Sequence, residues 1–301
     1  MEAVISLDST SVLTTPDGRW AISRSQANEC TVWDVERCQQ IRAFTGGASW
    51  GRALGRAPDG RWLTAASQSH VVRIRDLESG AVLRTLPGEI RSDYIVFSGD
   101  AGMLVAGSED YGDDPLLVWS VETGRALLAP DVGDYNTGAV SAVAISLDAR
   151  WVAAGFHFGY LSLWDMHNRT LVRTWQGHRG PKPNAGCGVN SIVFSADGQL
   201  IASSSYDRTI RLWLRETGSE LKTLDAGSGV FRSVSFGSRD RWLVASDDQK
   251  NLYVWDSENA DPVATFAGDS PMIVSGCSPQ AGIVVINSER RCAQFFECRD
   301  C

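Results

Sequence analysis

The sequence predicts an all-β fold built from repeats of one unit. A short apolar run that ends in a Trp, Arg or Phe recurs at intervals of roughly 41 to 49 residues, the length of a four-stranded propeller blade. The positions are Trp33, Arg75, Trp119, Trp164, Trp213, Trp255 and Phe296. An Asp-Gly pair also recurs near the start of the units, at residues 17–18, 59–60 and 197–198. These observations predict a seven-bladed β-propeller of four-stranded antiparallel blades, forming a single domain over residues 1–301.

The stretch from Ser191 to Trp213 shows the unit most clearly. It contains an apolar run at 192–194, the Asp197-Gly198 turn, a second run at 200–202 and a third run that ends at Trp213. Asp-Gly supplies the positive φ that a tight hairpin requires. Together with Gly177-His178 upstream, this pattern resembles a WD40 repeat. The resemblance covers nearly the whole chain and is strongest in the fifth and sixth units.

The remaining units follow in chain order. They span approximately residues 9–44, 50–86, 92–128, 139–175, 188–224, 230–266 and 272–298. The last unit lacks a fourth strand, whereas residues 3–7 resemble fourth strands such as 81–86. Pairing of the N-terminal segment with the last blade would cover an exposed sheet edge and close the ring. We therefore predict closure by residues 3–7.

The first turns of the fourth and sixth units depart from the Asp-Gly pattern. The fourth unit has Asp148-Ala149 and the sixth has Arg239-Asp240 at this place. Because neither pair offers glycine for the positive φ, we expect both turns to be strained or differently shaped. The tryptophans that open second strands, such as Trp151 and Trp242, are interpreted as structural.

The resemblance also implies a buried polar network in the fifth blade. WD40 blades often contain a hydrogen-bonded tetrad of His, Ser or Thr, Asp and Trp. Its members here would be His178, either Ser203 or Ser205, Asp207 and Trp213. The other blades lack the histidine. Because an incomplete buried polar network is costly, we expect the other blades to have none.

Composition and motifs argue against several function classes. A net charge of −8 disfavours binding to a nucleic-acid backbone. No apolar run is long enough to span a membrane and no signal peptide is evident, so we expect a cytoplasmic protein that does not bind membranes. The seven cysteines and four histidines show no metal-ligand spacing, and no phosphate-binding or nucleophile motif occurs. We therefore expect a non-catalytic protein without metal or cofactor, with a monomer favoured.

The connections between blades, together with the turns between second and third strands, are expected to share one face. Acidic loops at 108–115 and 130–138, each with a tyrosine, lie on this face, and Arg208 belongs to a basic sector of it. First-strand positions equivalent to Asn190, including Arg232, would form a polar ring at the mouth of the central channel. The residues expected to contact a partner are Trp50, Arg52, Asp93, Tyr111, Asp113, Asp114, Tyr135, His157, Arg208 and Arg232.

These features favour a scaffold or sensor module that binds a protein or peptide. The acidic loops would attract a basic segment of that partner. Divergent bacterial WD40 arrays are often the sensor or scaffold portion of larger signalling chains, so a small-ligand sensor domain is the first alternative, and it predicts a deep channel pocket. A weaker alternative is an enzyme at the channel mouth, which predicts a perturbed carboxylate beside Arg52, Asp93 and Arg232.

Overall fold

The chain is described by a computed structural model. It describes residues 4–6, 9–14, 20–25, 30–34, 37, 39–44, 50–57, 61–67, 71–87, 92–108, 116–128, 137–180, 186–225, 229–237, 240–256, 261–268, 272–278, 282–287 and 292–296. Within these residues all regular structure is β, in agreement with the predicted class.

The described strands pair into seven four-stranded antiparallel sheets, numbered here as blades 1 to 7 in chain order. The first strand is β1 (Val4–Ser6). Blade 1 contains β2 (Ser9–Thr14), β3 (Trp20–Ser25), β4 (Cys30–Asp34) and β5 (Gln39–Phe44). Blade 2 contains β6 (Trp50–Arg56), β7 (Trp62–Ser67), β8 (Val72–Asp76) and β9 (Val82–Thr85). Blade 3 contains β10 (Ser92–Phe97), β11 (Met103–Ser108), β12 (Leu116–Ser120) and β13 (Ala126–Leu128).

The second half of the chain follows the same order. Blade 4 contains β14 (Val140–Ile145), β15 (Trp151–Phe156), β16 (Tyr160–Asp165) and β17 (Thr170–Gln176). Blade 5 contains β18 (Val189–Phe194), β19 (Leu200–Ser205), β20 (Thr209–Leu214) and β21 (Glu220–Asp225). Blade 6 contains β22 (Phe231–Phe236), β23 (Trp242–Asp247), β24 (Asn251–Asp256) and β25 (Ala264–Ala267). Blade 7 contains β26 (Met272–Ser278), β27 (Gly282–Asn287), β28 (Cys292–Phe296) and β1.

The N-terminal strand completes the sheet formed by the last three strands. Val4 pairs with Gln294, Ile5 with Ala293 and Ser6 with Cys292, in antiparallel register. This pairing supplies the outermost strand of blade 7, which would otherwise present an open edge.

The all-β propeller class is confirmed, but the prediction of a seven-bladed ring needs a correction at the level of side-chain packing. Among the described residues, buried apolar side chains form four clusters, and each cluster is shared by two neighbouring blades. Together the clusters join blades 2 to 6. Among the side chains that the structure describes, the shared core therefore joins five consecutive blades, where seven were predicted.

Central strands are buried on both faces because neighbouring blades pack against them. In β15, five consecutive residues after Trp151 are buried, whereas all four residues of β9, an outermost strand, are exposed. Small residues permit the close approach of sheets. A Cβ on Gly155 would lie 2.4 Å from Cγ1 of Val189, so only glycine fits between blades 4 and 5 here.

The first turns have the predicted strain. Gly198 of blade 5 has φ of 68°, and the residues at the same place in blades 4 and 6, Ala149 and Asp240, have φ of 60° and 59°. Both are L residues in the left-handed region, so the expectation of strained turns is confirmed. These turns lie on the face opposite to the connections between blades.

Candidate functional site

The turns between second and third strands lie against the segments that lead into first strands. The backbone N–H of Tyr206 donates to the carbonyl of Gly188 at 3.0 Å, and that of Asp248 donates to the carbonyl of Val230 at 3.0 Å. The N–H of His157 bonds the carbonyl of Ala139 in the same way. These turns and segments together form the loop-rich face.

A β-bulge interrupts the first strand near its start and leaves one extra residue without a partner in the second strand. The bulged residues in blades 1, 3, 4, 5 and 6 are Thr10, Asp93, Ser141, Asn190 and Arg232. In blade 2 the irregular stretch lies between Trp50 and Leu54 and includes Arg52. In blade 7 the shift follows Val274, so Ile273, which was aligned with this set, does not belong to it. Bulges re-aim a side chain, which gives this set a shared geometric origin.

The most developed part of the face joins blades 5 and 6. The guanidinium carbon of Arg232 lies 5.0 Å from the ring centroid of Tyr206, and Nη1 of Arg232 donates to the tyrosine hydroxyl at 2.9 Å. Nη2 lies 3.7 Å from a carboxylate oxygen of Asp248. The other carboxylate oxygen of Asp248 accepts from the backbone N–H of Val230 at 2.8 Å. Both residues remain about half exposed: Tyr206 as a whole residue is 45% exposed, and the side chain of Arg232 is 42% exposed.

The contacts of Tyr206 continue towards blade 4. A Cβ on Gly188 would lie 3.3 Å from Cδ2 of Tyr206 and 3.1 Å from the carbonyl oxygen of His157, so the glycine backbone fills the space between them. The His157 side chain is exposed, although partial desolvation lowers the pKa of His157. On the channel side, Nδ2 of Asn190 donates to the carbonyl of Phe231 at 2.8 Å and fixes the backbone that presents Arg232. We call Tyr206, Arg232 and Asp248 the arginine–tyrosine strip.

Only part of the predicted contact set is brought together. Arg208 is exposed, with φ of 70°, in the same turn as Tyr206. Trp50 begins β6, and Arg52 and Asp93 lie in the first strands of blades 2 and 3. For these three residues the structure defines the backbone. The remaining predicted residues lie outside the described residues: Tyr111, Asp113, Asp114 and Tyr135.

Sequence reasoning missed Tyr206 and Asp248. Tyr206 belongs to the most regular repeat and was assigned to its turn, which gave no reason to expect an exposed ring. Asp248 follows a second strand without any recognisable motif. The register of Arg232 in its first strand was the available signal for both residues. The turn between second and third strands of its own blade and that of the preceding blade lie next to a residue at this position.

The tetrad residues of blade 5 are hydrogen-bonded to one another. Nδ1 of His178 lies 2.9 Å from Asp207, and Nε2 lies 2.7 Å from the hydroxyl of Ser203. The indole N–H of Trp213 donates to the same hydroxyl at 2.9 Å. Ser205 instead donates to the carbonyl of Cys187 at 3.1 Å. Of the two serines, Ser203 is therefore the one that joins the network.

Burial fixes the protonation of this network. Burial lowers the pKa of His178, so the ring is neutral at pH 7. Burial alone would raise the pKa of Asp207, but hydrogen bonds from His178 and Thr209 outweigh it and lower that pKa. With a neutral ring, Nδ1–H donates to Asp207 and Nε2 accepts from Ser203, whose oxygen accepts from Trp213.

The same Ser–His–Asp order occurs in hydrolases, where the serine hydroxyl must reach a substrate. Here both Ser203 and His178 are fully buried, and the indole N–H of Trp213 already occupies the serine oxygen. The arrangement stiffens blade 5 and offers no nucleophile to solvent.

The expectation that the other blades have no polar network is wrong. In blade 6 the buried Asp247 accepts from the hydroxyl of Tyr253 at 3.0 Å, from Nδ2 of Asn251 at 2.9 Å and from two backbone N–H groups. Burial and the neighbouring Asp247 raise the pKa of Tyr253 to about 12, so the phenol remains a donor. A single carboxylate thus organises the turn that carries Asp248.

No group of three or more His, Cys, Asp or Glu side chains within the described ranges is arranged to hold a metal ion. In the same ranges, no helix has the length and apolar character needed to cross a membrane.

Comparison with known proteins agrees with this architecture. The family model for the WD domain, G-beta repeat, matches residues 169–213 and 218–256, which extend over the strands from β17 to β24. A guanine nucleotide-binding protein subunit beta from Oryza sativa subsp. japonica is 26% identical over 270 residues, covering 83% of this chain and 68% of that protein. The β-propeller domain of Myceliophteria thermophila Cps50 (Swd1) superposes with a TM-score of 0.81 at 17% identity, over 99% of this chain and 100% of that one. At that identity the likeness shows the fold alone.

The repeated four-stranded sheets define the chain as a β-propeller. In its fifth and sixth repeats and in its fold it is similar to WD40-repeat β-propeller proteins.

Proposed function

We propose that this protein is a non-catalytic scaffold that binds a protein or peptide on its loop-rich face. WD40 propellers bind proteins and are generally non-catalytic. The observation that carries the proposal is the arginine–tyrosine strip, because a half-exposed Tyr206 and Arg232 are held in one geometry near the channel mouth. Tyr and Arg are enriched among residues that dominate binding energy, and a fixed side chain loses less entropy when it binds.

The finer part of the proposal concerns charge. The acidic segments at 108–115 and 130–138 belong to the connections of blades 3 and 4 in the sequence order. A basic segment of the partner would be attracted to them, which speeds encounter and disfavours partners of the wrong charge. The channel mouth, with Trp50, Arg52, Asp93 and Arg232, would receive the centre of the bound segment.

Site-specific photo-crosslinking tests the proposed face. A photoreactive amino acid placed at Gln249, an exposed residue next to Asp248 that is not part of the arginine–tyrosine strip, samples the loop-rich face. The same amino acid at Arg241 samples the opposite face. We expect defined crosslinked species in the native cell from position 249, lost when excess untagged protein competes, and none from position 241. Equal or stronger crosslinking from position 241 would show that the partner uses the opposite face and would refute the proposal.

A further inference from the structure

We propose that the sector around the arginine–tyrosine strip binds an acidic segment of the partner, with a side-chain carboxylate on Arg232 and an apolar side chain on the ring of Tyr206. This inference deepens the proposed function and rests on it. The acidic loops at 108–115 and 130–138 predict a basic segment of the partner. The described sector, two blades further along the ring, has the opposite character.

The local charge is the first argument. The whole chain carries a net charge of −8, yet Arg179, Arg208 and Arg232 are all exposed on the loop-rich face of blades 5 and 6. The buried carboxylate of Asp207 adds little net negative charge there because Nη2 of Arg211 lies 3.6 Å from it and offsets it. Three exposed guanidinium groups therefore face solvent in a chain that is otherwise acidic, which favours an anionic segment.

The geometry of Arg232 is the second argument. Its Nη1 is bound to the hydroxyl of Tyr206, and the ring lies beneath the guanidinium plane, so the group is oriented before any partner arrives. The contact to Asp248 is long, at 3.7 Å, and both side chains are partly exposed. A long, exposed pair of this kind stabilises little, so a partner carboxylate with direct N–H contacts can compete with it.

Asp248 has a positioning role in this picture. Its Oδ1 accepts from the N–H of Val230 at 2.8 Å, and the neighbouring Asp247 is held by Tyr253 and Asn251. The carboxylate therefore stays on one side of Arg232 and steers the guanidinium over Tyr206. The opposite edge of the guanidinium is the one left for a ligand.

The ring of Tyr206 supplies the apolar part of the site. It is 45% exposed, and its lower edge rests on Gly188, where a side chain would crowd it. An aromatic ring held in this way offers contact area with few rotatable bonds to order. The best-fitting ligand is thus a peptide with an acidic residue beside a hydrophobic one, as opposed to a polyanion.

The test uses the full chain and three pools of short degenerate peptides labelled with a fluorophore. The pools share a central leucine and differ only in whether the flanking residues are Glu, Gln or Lys. We expect the Glu pool to bind about tenfold more tightly than the Gln pool by fluorescence anisotropy, which corresponds to about 1.4 kcal/mol. Arg232→Gln and Tyr206→Ala should each abolish this preference, and the preference should weaken as salt is added.

Arg241→Gln is the matched control. Arg241 also stacks on an aromatic ring, at 4.9 Å from Trp242, and also pairs with an aspartate, Asp256, at 3.4 Å. It precedes the second strand of blade 6 and lies on the opposite face, so its loss should leave binding unchanged. Circular dichroism melts verify that all variants are folded.

The outcomes separate the two proposals. Preference for the Lys pool would overturn the acidic-segment inference and leave the loop-rich face as a binding surface. Equal binding of all pools, or a Glu preference that survives Arg232→Gln, would also overturn it. Failure of the crosslinking experiment at Gln249 refutes the proposed function independently of peptide charge.

Discussion

The indole N–H of Trp213 in β20 donates to the hydroxyl of Ser203 in β19 at 2.9 Å. The strand partner of Trp213 is Ile201, so Ser203 lies two residues beyond that partner. Blade 1 repeats this bond, because Trp33 donates to Ser23 at 2.8 Å. In blade 6 the equivalent Trp255 is fully buried, and its N–H has no hydrogen-bond partner among the described residues. A buried donor without an acceptor reduces stability by about 1–3 kcal/mol.

Ala245→Ser should therefore stabilise the protein. Ala245 pairs with Tyr253 as Ser203 pairs with Arg211, so it occupies the place from which a serine hydroxyl reaches the indole. We expect the free energy of unfolding to rise by about 0.5–1.5 kcal/mol, the usual net value of one hydrogen bond. Urea denaturation followed by tryptophan fluorescence measures the change.

Ala202→Ser is the control for this substitution. Ala202 is also fully buried but lies next to Ser203 in β19, so its side chain points to the other face of the sheet. A hydroxyl there should lower the free energy of unfolding by about 1–3 kcal/mol if it finds no acceptor. If Ala245→Ser is as destabilising as Ala202→Ser, the blade 6 indole is not accessible to a serine in this register.

Ala149→Gly should also stabilise the protein, for a backbone reason. Ala149 has φ of 60°, and blade 5 has Gly198 at the same turn position. The left-handed conformation costs an L residue about 1–2 kcal/mol, and the extra freedom of glycine in the unfolded chain offsets part of that gain. We expect a net gain of about 0.5–1 kcal/mol, measured as a rise in the denaturation midpoint with unchanged slope.

Asp240→Gly provides the contrast. Asp240 has φ of 59°, but its carboxylate also accepts from the backbone N–H of Ala196 in blade 5 at 2.8 Å. Glycine would relieve the backbone strain and remove this link between blades. We expect no gain in stability, and a gain equal to that of Ala149→Gly would show that the link contributes nothing.

Much of the architecture was predictable because it depends on local repetition. The period of the third-strand aromatics set the strand order, and Asp-Gly pairs located first turns such as that of Gly198. Packing was not predictable in this way. Which side chains fill the space between two blades depends on residues distant in sequence, such as Gly155 against Val189, and no periodicity reports that contact.

The candidate site shows the same division. Arg232 was found from its register, since a repeat alignment places equivalent residues at the channel mouth. Its partners Tyr206 and Asp248 lie in two different turns, and Tyr206 is 26 residues away from Arg232 in the sequence. The three residues come together only when the blades pack side by side. The network around Asp247 was also missed, because it contains no histidine and is built from a carboxylate and a tyrosine.

His178 should make stability depend on pH. Burial lowers the pKa of His178 in the folded state, while the unfolded chain has the ordinary value near 6.5. As the pH falls through that value, the unfolded state binds a proton that the folded state does not, so stability decreases. The slope approaches about 1.4 kcal/mol per pH unit below the unfolded pKa. Melting temperatures between pH 8 and pH 5 should therefore fall.

His178→Gln isolates this contribution. The variant should be less stable at pH 8 because the bonds to Asp207 and Ser203 are changed, but its melting temperature should fall less steeply towards pH 5. His167→Asn, at an exposed turn, is the matched control and should retain the slope of the parent protein. Parallel slopes for His178→Gln and the parent would mean that the histidine does not titrate differently in the two states.

Arginines on the outermost strands of blades 1 and 2 fasten each of these two blades to the next one. Nε of Arg84 in blade 2 donates to the carbonyl of Val121 in blade 3 at 3.0 Å, and Nη1 of Arg42 in blade 1 donates to the carbonyl of Ser79 in blade 2 at 3.0 Å. Arg84→Met keeps most of the apolar stem and removes the donor. We expect the free energy of unfolding to fall by about 1 kcal/mol, because the carbonyl of Val121 loses a partner.

Arg125→Met is the reference for this last prediction, because Arg125 is exposed in the turn of blade 3 beside the same contact. It should change the free energy of unfolding by less than about 0.5 kcal/mol. Combining Arg84→Met with Arg42→Met should give the sum of the single effects, since the two bonds join different pairs of blades and share no atoms. A combined loss well above that sum would mean that the bonds act through one cooperative unit across blades 1 to 3, whereas equal effects of Arg84→Met and Arg125→Met would show that the outer arginines do not hold neighbouring blades together.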